Sequence, residues 1–468
     1  MKVAVVGGGI SGLAAAHRLT ELAAGDARPL ELTLFEGSGR LGGVIGTSFE
    51  EQCVLEWGPD SIITDKPWGM ALIKRLGLEP EVVGTQDAHR RSFVVKGGSL
   101  HPVPEGFQIL APARFGPLIR TGIFSPLGKA RMALDLILPR RTDPSDESLG
   151  DFVLRRLGRE ALDRMAQPMI GGIYGGDPMT LSLEATLPRF QEMERQHGSV
   201  IRGMWARSRA SGHAPKSGVS GARYGLFAAF RNGMQTLVTA LEARIGGACI
   251  HLNTPVSTVT PEGADWRVQL ADGNSQAFDR VIVAMPSCRS ASIMESVSPE
   301  LSRLLRTTGY GSSATMSLLY RAGDVSHPLN GFGFVVPRSE GLTLLGCTFT
   351  HRKYPNRAPD SVALLRAFLG GESVTTMSDA ELEAAVREDL RRVLGLTATP
   401  FRVVIHRQHE AMAQYPVGHL KRVDEMDARV AQFPGLALAG NGFRGIGIPD
   451  CIHRGELAAE AVWNGGAK

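Results

Sequence analysis

The chain has 468 residues, of which 43% are hydrophobic, a composition that predicts roughly two to three domains with sizeable cores. Its 51 basic and 47 acidic side chains give a formal net charge of +4, which is too balanced to indicate a nucleic-acid partner. The five cysteines are scattered without a CxxC pair, which argues against a disulfide framework or a thiolate metal site and favours a reducing compartment such as the cytosol.

The first predicted element is a buried strand, residues 3–6, that runs into a glycine-rich turn reading GGGISG over 7–12. In a GxGxxG turn the glycines permit a tight bend, let backbone N–H groups approach a pyrophosphate, and allow close helix packing. A helix beginning at Ser11 then directs its positive end at the phosphates. A second apolar strand, 30–35, ends on Glu36, near the roughly 20-residue offset of a ribose-binding acid. These elements predict a dinucleotide site.

Two further segments extend this site. Residues 37–43 read GSGRLGG; their glycines free additional backbone N–H groups, and Arg40 is expected to approach a second phosphate. Simple NAD-binding Rossmann domains do not usually need such a segment. An acidic turn at 56–61 precedes a helix predicted over 68–76, after which the nucleotide domain is expected to break off.

The next region is predicted to be helical and irregular. Six prolines between residues 90 and 141 predict short helical pieces and no regular sheet. Ser148 is a predicted N-cap, with Asp151 as its partner three residues later. The stretch 129–141 sets basic side chains around apolar ones, which fits either a face that touches a membrane or the solvated rim of a buried helix, and the second is favoured.

The α/β pattern resumes near residue 227. The predicted elements that follow are a helix at 237–245, strands at 251–259, 266–270, 281–284, 318–320, 332–336 and 342–349, a helix at 380–394, a strand at 436–440 and a helix from Pro449 to Trp463. The last two return the chain to the nucleotide domain and offer a second helix N-terminus. His406 and His409 lack a third ligand at usable spacing, so no metal site is predicted. No uncharged run approaches the roughly 18 residues of a membrane span, and the first strand leaves no room for a signal peptide.

With these motifs the chain resembles, nearly end to end, the flavin-dependent porphyrinogen oxidases of haem biosynthesis. The segments GGGISGL, EGSGRLGG, EWGPDS and the terminal GNGFRGIGIPDCI carry the likeness, together with LHPVPEG, GIYGGD, NGMQTL and QYPVGH. The first and the terminal segment are shared with monoamine and polyamine oxidases, so they indicate FAD more firmly than substrate. The middle segments are typical of the porphyrinogen oxidases.

The resemblance implies an α/β fold with a Rossmann-type FAD-binding domain assembled from 1–85, 226–295 and 411–468. A substrate-entry and helical insert would occupy 86–225, and a mixed-sheet substrate domain 296–410. FAD would be held without a covalent bond, since no Cys or His stands at an obvious tethering position. The implied FAD contacts are Gly7, Gly9, Ile10, Ser11, Gly12, Glu36, Arg40, Gly42, Gly43, Gly58, Pro59, Asp60, Ser61, Val256 at the adenine, and Gly440, Asn441, Gly447 and Ile448 near the flavin ring and ribityl chain.

The resemblance also implies a substrate site made of Arg91, Ser92, Gly172, Tyr174, Val335, Thr348 and Phe368. The Gly172 carbonyl would face pyrrole N–H groups and is the implied catalytic position. Val335 and Thr348 stand at apolar-clamp positions. Phe368 resembles the aromatic residue that packs on a substrate ring, and ordinary core packing is an equal alternative.

Ser92 stands where plant and animal protoporphyrinogen oxidases carry an arginine, with Arg90 and Arg91 just before it. This difference, and the LHPVPEG segment, favour the bacterial coproporphyrinogen III oxidases. The implied activity is oxygen-dependent oxidation of coproporphyrinogen III to coproporphyrin III, with hydride transfer to FAD and release of hydrogen peroxide. Protoporphyrinogen oxidation, amine oxidation and a non-catalytic flavoprotein are the alternatives. The implied partners are the porphyrinogen, dioxygen and the next enzyme of the haem pathway, with no nucleic acid.

Overall fold

A computed structural model describes residues 1–210, 227–371 and 373–465. Its nucleotide domain is built on a parallel sheet of five strands, in the order Ile250–His251, Glu31–Phe35, Lys2–Val6, Arg280–Val283 and Leu436–Leu438. These strands come from three separated parts of the chain, which confirms the predicted Rossmann-type assembly. The predicted division between 225 and 226 lies outside the described residues.

Both faces of the parallel sheet are buried, which explains why its strands are apolar throughout. Val3 and Val5 pack into a core shared with the helices Ile10–Asp26, Gln235–Ile245 and Ile448–Trp463. Ala4 and Val6 face a second core, which includes the antiparallel sheet Val256–Glu262, Asp265–Leu270 and Ser275–Phe278. The strand predicted over 251–259 is therefore wrong, because the chain leaves the parallel sheet after His251 and starts a different sheet at Val256.

The substrate domain is a mixed sheet of seven strands, here called the large sheet. Its order is Arg402–Gln414, Gly309–Arg321, Val362–Gly370, Gly346–Phe349, Gly333–Val335, Ser92–Lys96 and Ser99–Pro102. One face packs on the helix Asp379–Leu394, with Met316 and Leu318 against Val386. Ser378 and Glu381 cap this helix with a reciprocal capping box. The face without this helix is turned towards the nucleotide domain.

Two strands of the large sheet lie where no regular sheet was predicted. Ser92–Lys96 pairs in parallel with Gly333–Val335 and is followed by an antiparallel edge strand, Ser99–Pro102. Proline is tolerated at an edge because its missing N–H would face solvent, so Pro102 ends the strand without breaking the sheet. Residues 92–102 thus belong to the large sheet and not to the helical insert.

The helical insert packs around its own core. Its helices are Phe115–Arg120, Pro126–Ala133, Leu149–Arg156, Arg159–Ala161, Gln167–Tyr174, Leu183–Thr186, Pro188–His197 and Val200–Ala210, with a π-helical turn at Leu162–Ala166. The predicted cap is confirmed, since the Ser148 hydroxyl accepts from the Asp151 N–H. Arg156 and Asp135, both fully buried, form an ion pair of 2.5 Å inside this core.

The remaining elements connect these units. They are the strands Thr47–Glu50, Cys53–Glu56, Ile62–Ile63, Val82–Gly84, Phe107–Gln108, Ala111–Pro112 and Phe227–Phe230, and the helices Pro67–Arg75, Ser287–Met294, Pro299–Leu305, Thr350–Lys353, Ser373–Thr376 and His419–Val430. Within the described ranges, none of the helices combines the length and the apolar character needed to cross a bilayer.

Candidate active site

The turn after the first strand forms a cradle for a phosphate. A Cβ added to Gly12 would lie 1.9 Å from the Gly7 carbonyl oxygen, so only glycine permits this closure. A Cβ added to Gly9 would meet no atom within 4 Å, which leaves open space beside the turn. Gly9 is also the N-cap of the helix that starts at Ile10, with Ser11 as its second residue. No side chain caps this helix start. The free N–H groups of this first turn suit an anion.

Glu36 lies at the end of the neighbouring strand and closes the other side of the turn. Its carboxylate accepts the N–H groups of Gly8 and Ser38, each at 2.7 Å. Its carbonyl accepts from Thr254, two residues before Val256. The structure therefore brings the predicted ribose-binding acid and the predicted adenine contact to the same end of the cradle.

Arg40 holds the second glycine segment by hydrogen bonds to nearby backbone carbonyls. Its guanidinium donates to the carbonyls of Leu41 at 2.7 Å and Ile45 at 2.6 Å and lies 4.6 Å from the centre of the Trp57 ring. The N–H of Gly42 donates to the Gly8 carbonyl, which places the loop, including Gly43, against the phosphate turn. These contacts hold the loop in place, and a direct phosphate contact of Arg40 stays a prediction.

The C-terminal segment returns to the same cradle. A Cβ on Gly455 would lie 2.2 Å from the Ser11 carbonyl, so the last helix crosses the first at its N-terminal end. That last helix begins at Ile448 with Gly447 as an N-cap that makes no side-chain bond. Nearby, Gly440 has a φ of 129°, and the Asn441 side chain donates to the Ala411 carbonyl at 2.9 Å.

The two uncapped helix starts, the open space at Gly9 and the acid at Glu36 fit a dinucleotide. Flavin chemistry would accordingly belong to the surface between this cradle and the large sheet. Among the described residues, no group of three or more potential ligands is placed to hold a metal ion.

Four predicted substrate residues share one face of the large sheet. In one row across the strands, Gly346 pairs with Val335 on one side and with Phe368 on the other. In a parallel row two residues away, Gly333 pairs with Ser92 and with Thr348. Directly paired residues place their side chains on the same face, as do residues two apart on one strand. The register therefore collects these side chains on the face opposite the helix Asp379–Leu394, where Val335 packs against the core of the insert.

The helix Gln167–Tyr174 borders this face. A Cβ on Gly172 would meet no atom within 4 Å, so its position is open on that side. Tyr174 differs, because its ring lies in the insert core and its hydroxyl donates to the Thr186 carbonyl at 2.9 Å. The carbonyl of Tyr174 accepts from Gln414 at 2.7 Å, which ties the helix to the large sheet. Tyr174 thus supports the helix. Its hydroxyl already donates to the protein backbone, and its contact with substrate stays a prediction.

A buried group of charges joins the large sheet to residues 56–61, here called the flavin loop after the FAD contacts predicted for it. The Lys353 ammonium lies 2.8 Å from Asp60, and the Arg357 guanidinium lies 3.2 Å from Glu56. The Arg366 guanidinium donates to the Gly58 carbonyl and lies 3.8 Å from Asp60. The hydroxyl of Ser61 also donates to Asp60, at 2.7 Å. Pro59 precedes Asp60 in the same loop.

These contacts shift the pKa values in opposite directions. Burial raises the pKa of Glu56 although Arg357 opposes it. Burial also acts to raise the pKa of Asp60, but Lys353 and Arg366 outweigh it and hold that pKa well below its usual range. His406 stacks on Trp57 with ring centres 4.7 Å apart, and burial together with Arg366 and Arg40 lowers its pKa. His406 is therefore neutral at pH 7.

The sequence reasoning missed Lys353, Arg357 and Arg366. A signal was present for Arg366, because it is the one charged residue in the strand VALLRAFLG at 362–370, where an apolar residue would be expected. The basic side chains near the predicted substrate residue Ser92 are mostly occupied by contacts within the protein. Arg90 is paired with Asp87 at 2.9 Å, Lys96 donates to the Gly122 carbonyl at 2.5 Å, and Arg91 is exposed.

The fold and the site define a dinucleotide-binding protein with a Rossmann-type nucleotide domain. The family model described as flavin containing amine oxidoreductase matches residues 10–463. The chain is 37% identical over 460 residues to the coproporphyrinogen III oxidase of Bacillus subtilis (strain 168), covering 97% of this chain and 96% of that one. It is 30% identical over 489 residues to the protoporphyrinogen oxidase of Bos taurus, covering 98% of both.

Solved structures agree with this. A protein from Exiguobacterium sp. 255-15, provisionally titled a protoporphyrinogen oxidase, superposes with a TM-score of 0.86 at 30% identity and covers 98% of both chains. A putrescine oxidase variant, with a TM-score of 0.69 at 18% identity over 99% of this chain and 98% of its own, shares the fold alone. The chain belongs to the flavin-containing amine oxidoreductase family, in its porphyrinogen oxidase branch.

Proposed function

We propose that this protein oxidises coproporphyrinogen III to coproporphyrin III with dioxygen as the final acceptor, releasing hydrogen peroxide. The 37% identity to a coproporphyrinogen III oxidase over nearly the whole chain carries this proposal. Ser92 supports it, because the start of that strand carries a small buried side chain and no arginine for a single propionate clamp. Coproporphyrinogen carries four propionates, which favours several weaker contacts at an open rim over one bidentate contact.

We infer that the cofactor is non-covalent FAD. The adenosine end would lie against Glu36 and Val256, the pyrophosphate at Gly9, and the flavin beside the flavin loop. When bound, the flavin would supply a two-electron acceptor for the hydrides of successive substrate methylene bridges, and dioxygen would reoxidise it with one hydrogen peroxide released per hydride. Acid precipitation should release intact FAD into the supernatant, and flavin retained in the pellet would contradict the non-covalent assignment.

The protein residues then position the substrate and exclude water. Phe368 offers a ring for stacking, and Val335 and Thr348 lie beside it on the same face. The open Gly172 position would let a pyrrole N–H approach the helix backbone, and the proton would leave to a carbonyl or to solvent. No charged side chain is needed as a general base.

Protoporphyrinogen oxidation is the alternative with the same machinery. An amine oxidase would be expected to line its flavin with aromatic side chains. Amine oxidation is therefore less well supported, because Phe443, the one aromatic residue in the terminal glycine-rich segment, is fully buried in the core. Anaerobic titration of the oxidised protein with coproporphyrinogen, protoporphyrinogen and putrescine, followed by flavin bleaching, separates these functions. We expect bleaching by both porphyrinogens, fastest with coproporphyrinogen. Bleaching by the amine alone would overturn the proposal.

Substrate choice should depend on salt. Exposed charges are screened over about 10 Å at roughly 0.1 M salt, so added salt should raise the KM for the tetracarboxylate more than for the dicarboxylate. A kcat/KM at low salt that is higher for protoporphyrinogen than for coproporphyrinogen would instead indicate a protoporphyrinogen oxidase.

We place the enzyme in a reducing compartment such as the cytosol, in line with five free cysteines. A peripheral membrane contact, and a handover of product to the next haem enzyme, would use the outer face of the insert. Ile119, Leu127 and Ile137 are 67%, 83% and 75% exposed there, close to Lys129. Met132, from the same predicted amphipathic stretch, is fully buried. That stretch is therefore divided between the insert core and an exposed apolar patch.

A further inference from the structure

Arg366 connects the predicted substrate ring to the flavin loop. It is 2% exposed and comes from the strand Val362–Gly370, two residues before Phe368. Its guanidinium lies 4.9 Å from the centre of the Phe368 ring and donates to the Gly58 carbonyl. One side chain thus contacts both the ring expected to stack on substrate and the loop expected to contact flavin.

Neighbouring contacts fix the same loop to the same sheet face. The Thr315 hydroxyl donates to the Trp57 carbonyl at 2.9 Å, and Thr315 pairs directly with Phe368 across the sheet. Lys353 holds Asp60 from the helix that follows the Gly346–Phe349 strand. The flavin loop is consequently held at Trp57, Gly58 and Asp60 by the substrate domain and not by its own domain alone.

The charge of Arg366 is only partly compensated. Asp60 is 3.8 Å away and is shared with Lys353, which lies closer at 2.8 Å. The Nε–H of Arg366 is buried and has no hydrogen-bond acceptor. A buried cation with an unused donor beside the flavin loop favours negative charge and electron density at that position.

We propose that Arg366 is a positioning residue for hydride transfer, which sets the flavin loop and the Phe368 ring as one unit and holds positive charge beside the flavin. The proposal rests on the proposed function. It explains why a strand otherwise made of apolar residues carries a buried guanidinium at this position. It also predicts that loss of Arg366 changes the midpoint potential and the visible spectrum of the flavin as well as kcat.

Arg357 offers a matched control. It is 1% exposed, pairs with one carboxylate, Glu56, and lies 5.3 Å from the centre of the Tyr354 ring. Glu56 in turn accepts the Met234 N–H at the start of the helix Gln235–Ile245. Arg357 therefore matches Arg366 in burial, and its guanidinium N–H groups also lack hydrogen-bond acceptors. It differs in its contacts, because it pairs with Glu56 at the start of the flavin loop, which supports a helix start, and has no contact with Gly58, Asp60 or Phe368 among its described partners.

The experiment compares wild type, Arg366→Gln, Arg366→Lys and Arg357→Gln as holoproteins. We measure the flavin midpoint potential, the visible flavin spectrum, thermal unfolding, and kcat and KM with coproporphyrinogen. Arg366→Gln should make the potential more negative, alter the flavin spectrum, and lower kcat by about tenfold or more, with KM changed by less than about threefold. Arg366→Lys should restore the potential, since the charge is kept, and leave kcat reduced. Arg357→Gln should lower the unfolding temperature while the potential stays at the wild-type value.

Equal effects of Arg366→Gln and Arg357→Gln on the potential, or an effect of Arg366→Gln on unfolding temperature alone, would overturn the proposal. If Arg366→Gln does not accumulate as folded holoprotein, Arg366→Lys decides, because unchanged kcat in that variant would also refute positioning by the guanidinium. A wild type that binds flavin and fails to oxidise coproporphyrinogen would refute the proposed function, and the potentials and spectra of the variants would still test Arg366.

Discussion

Alanine at Gly9 and alanine at Gly12 should separate cofactor binding from folding. At Gly12 the added Cβ would lie 1.9 Å from the Gly7 carbonyl oxygen, far inside van der Waals contact with a backbone atom that cannot rotate away. The turn must shift, and such overpacking costs about 1–3 kcal/mol of unfolding free energy. We expect Gly12→Ala to lose both stability and flavin.

At Gly9 the same methyl group enters open space, and the backbone φ of −70° is one that alanine adopts without strain. The unfolding free energy of the flavin-free protein should stay within about 0.5 kcal/mol of wild type. The methyl group occupies the space expected for the pyrophosphate, so FAD affinity should fall at least about tenfold, equivalent to roughly 1.4 kcal/mol.

Urea unfolding of the flavin-free proteins gives the first quantity, and titration with FAD followed by flavin fluorescence gives the second. Excess FAD should raise the unfolding midpoint of wild type more than that of Gly9→Ala, because stabilisation by a ligand grows with the ratio of its concentration to Kd. The dinucleotide assignment of this turn would be refuted if Gly9→Ala bound FAD as tightly as wild type.

Other predictions address the remaining parts of the structure. Glu36→Ala should weaken FAD by roughly 1.5–3 kcal/mol through loss of a charged acceptor, as measured by calorimetry, and wild-type affinity would exclude a ribose contact. His419 is fully buried, its Nε2–H donates to the Phe443 carbonyl at 2.6 Å, and burial lowers its pKa to about 4. Because the unfolded chain binds a proton near pH 6.5 and the folded one does not until about pH 4, stability should fall as pH falls through this window, by up to about 3 kcal/mol. Unfolding of His419→Gln at several pH values should show a shallower dependence, and an unchanged slope would contradict this. If the patch on the insert touches anionic lipid, Leu127→Ser with Ile137→Ser should abolish co-sedimentation with phosphatidylglycerol vesicles, and absence of wild-type binding would exclude the contact.

Local motifs were the predictable part of this molecule. The glycine turn, the Glu36 strand end and the Ser148 cap depend on residues close together in sequence, and the structure forms each of them. The strand Ser92–Lys96 was missed because nearby prolines suggested irregular structure, although it forms a local hairpin with Ser99–Pro102. Its second partner, Gly333–Val335, is distant in sequence. An edge strand can end in proline, so proline frequency alone misled the prediction.

The contacts of the flavin loop could not be predicted for a related reason. Asp60 was identified from its motif, but Lys353 and Arg366 come from a helix and a strand of another domain. Neither lies in a motif. The sheet places Arg366, and the short helix after the strand Gly346–Phe349 places Lys353. Arg366 can be found afterwards as a charge in a buried strand, yet its partner follows from topology alone.

The crossing of the first and last helices has a consequence for the order of synthesis. Ser11 meets Gly455, and the strand Leu436–Leu438 completes an edge of the parallel sheet that begins with Lys2–Val6. Proteins are made from the N-terminus, so the part of the first helix that packs on the last helix must wait, uncovered, until almost the whole chain has left the ribosome. Chaperone protection and flavin supply should therefore matter most after translation and not during it.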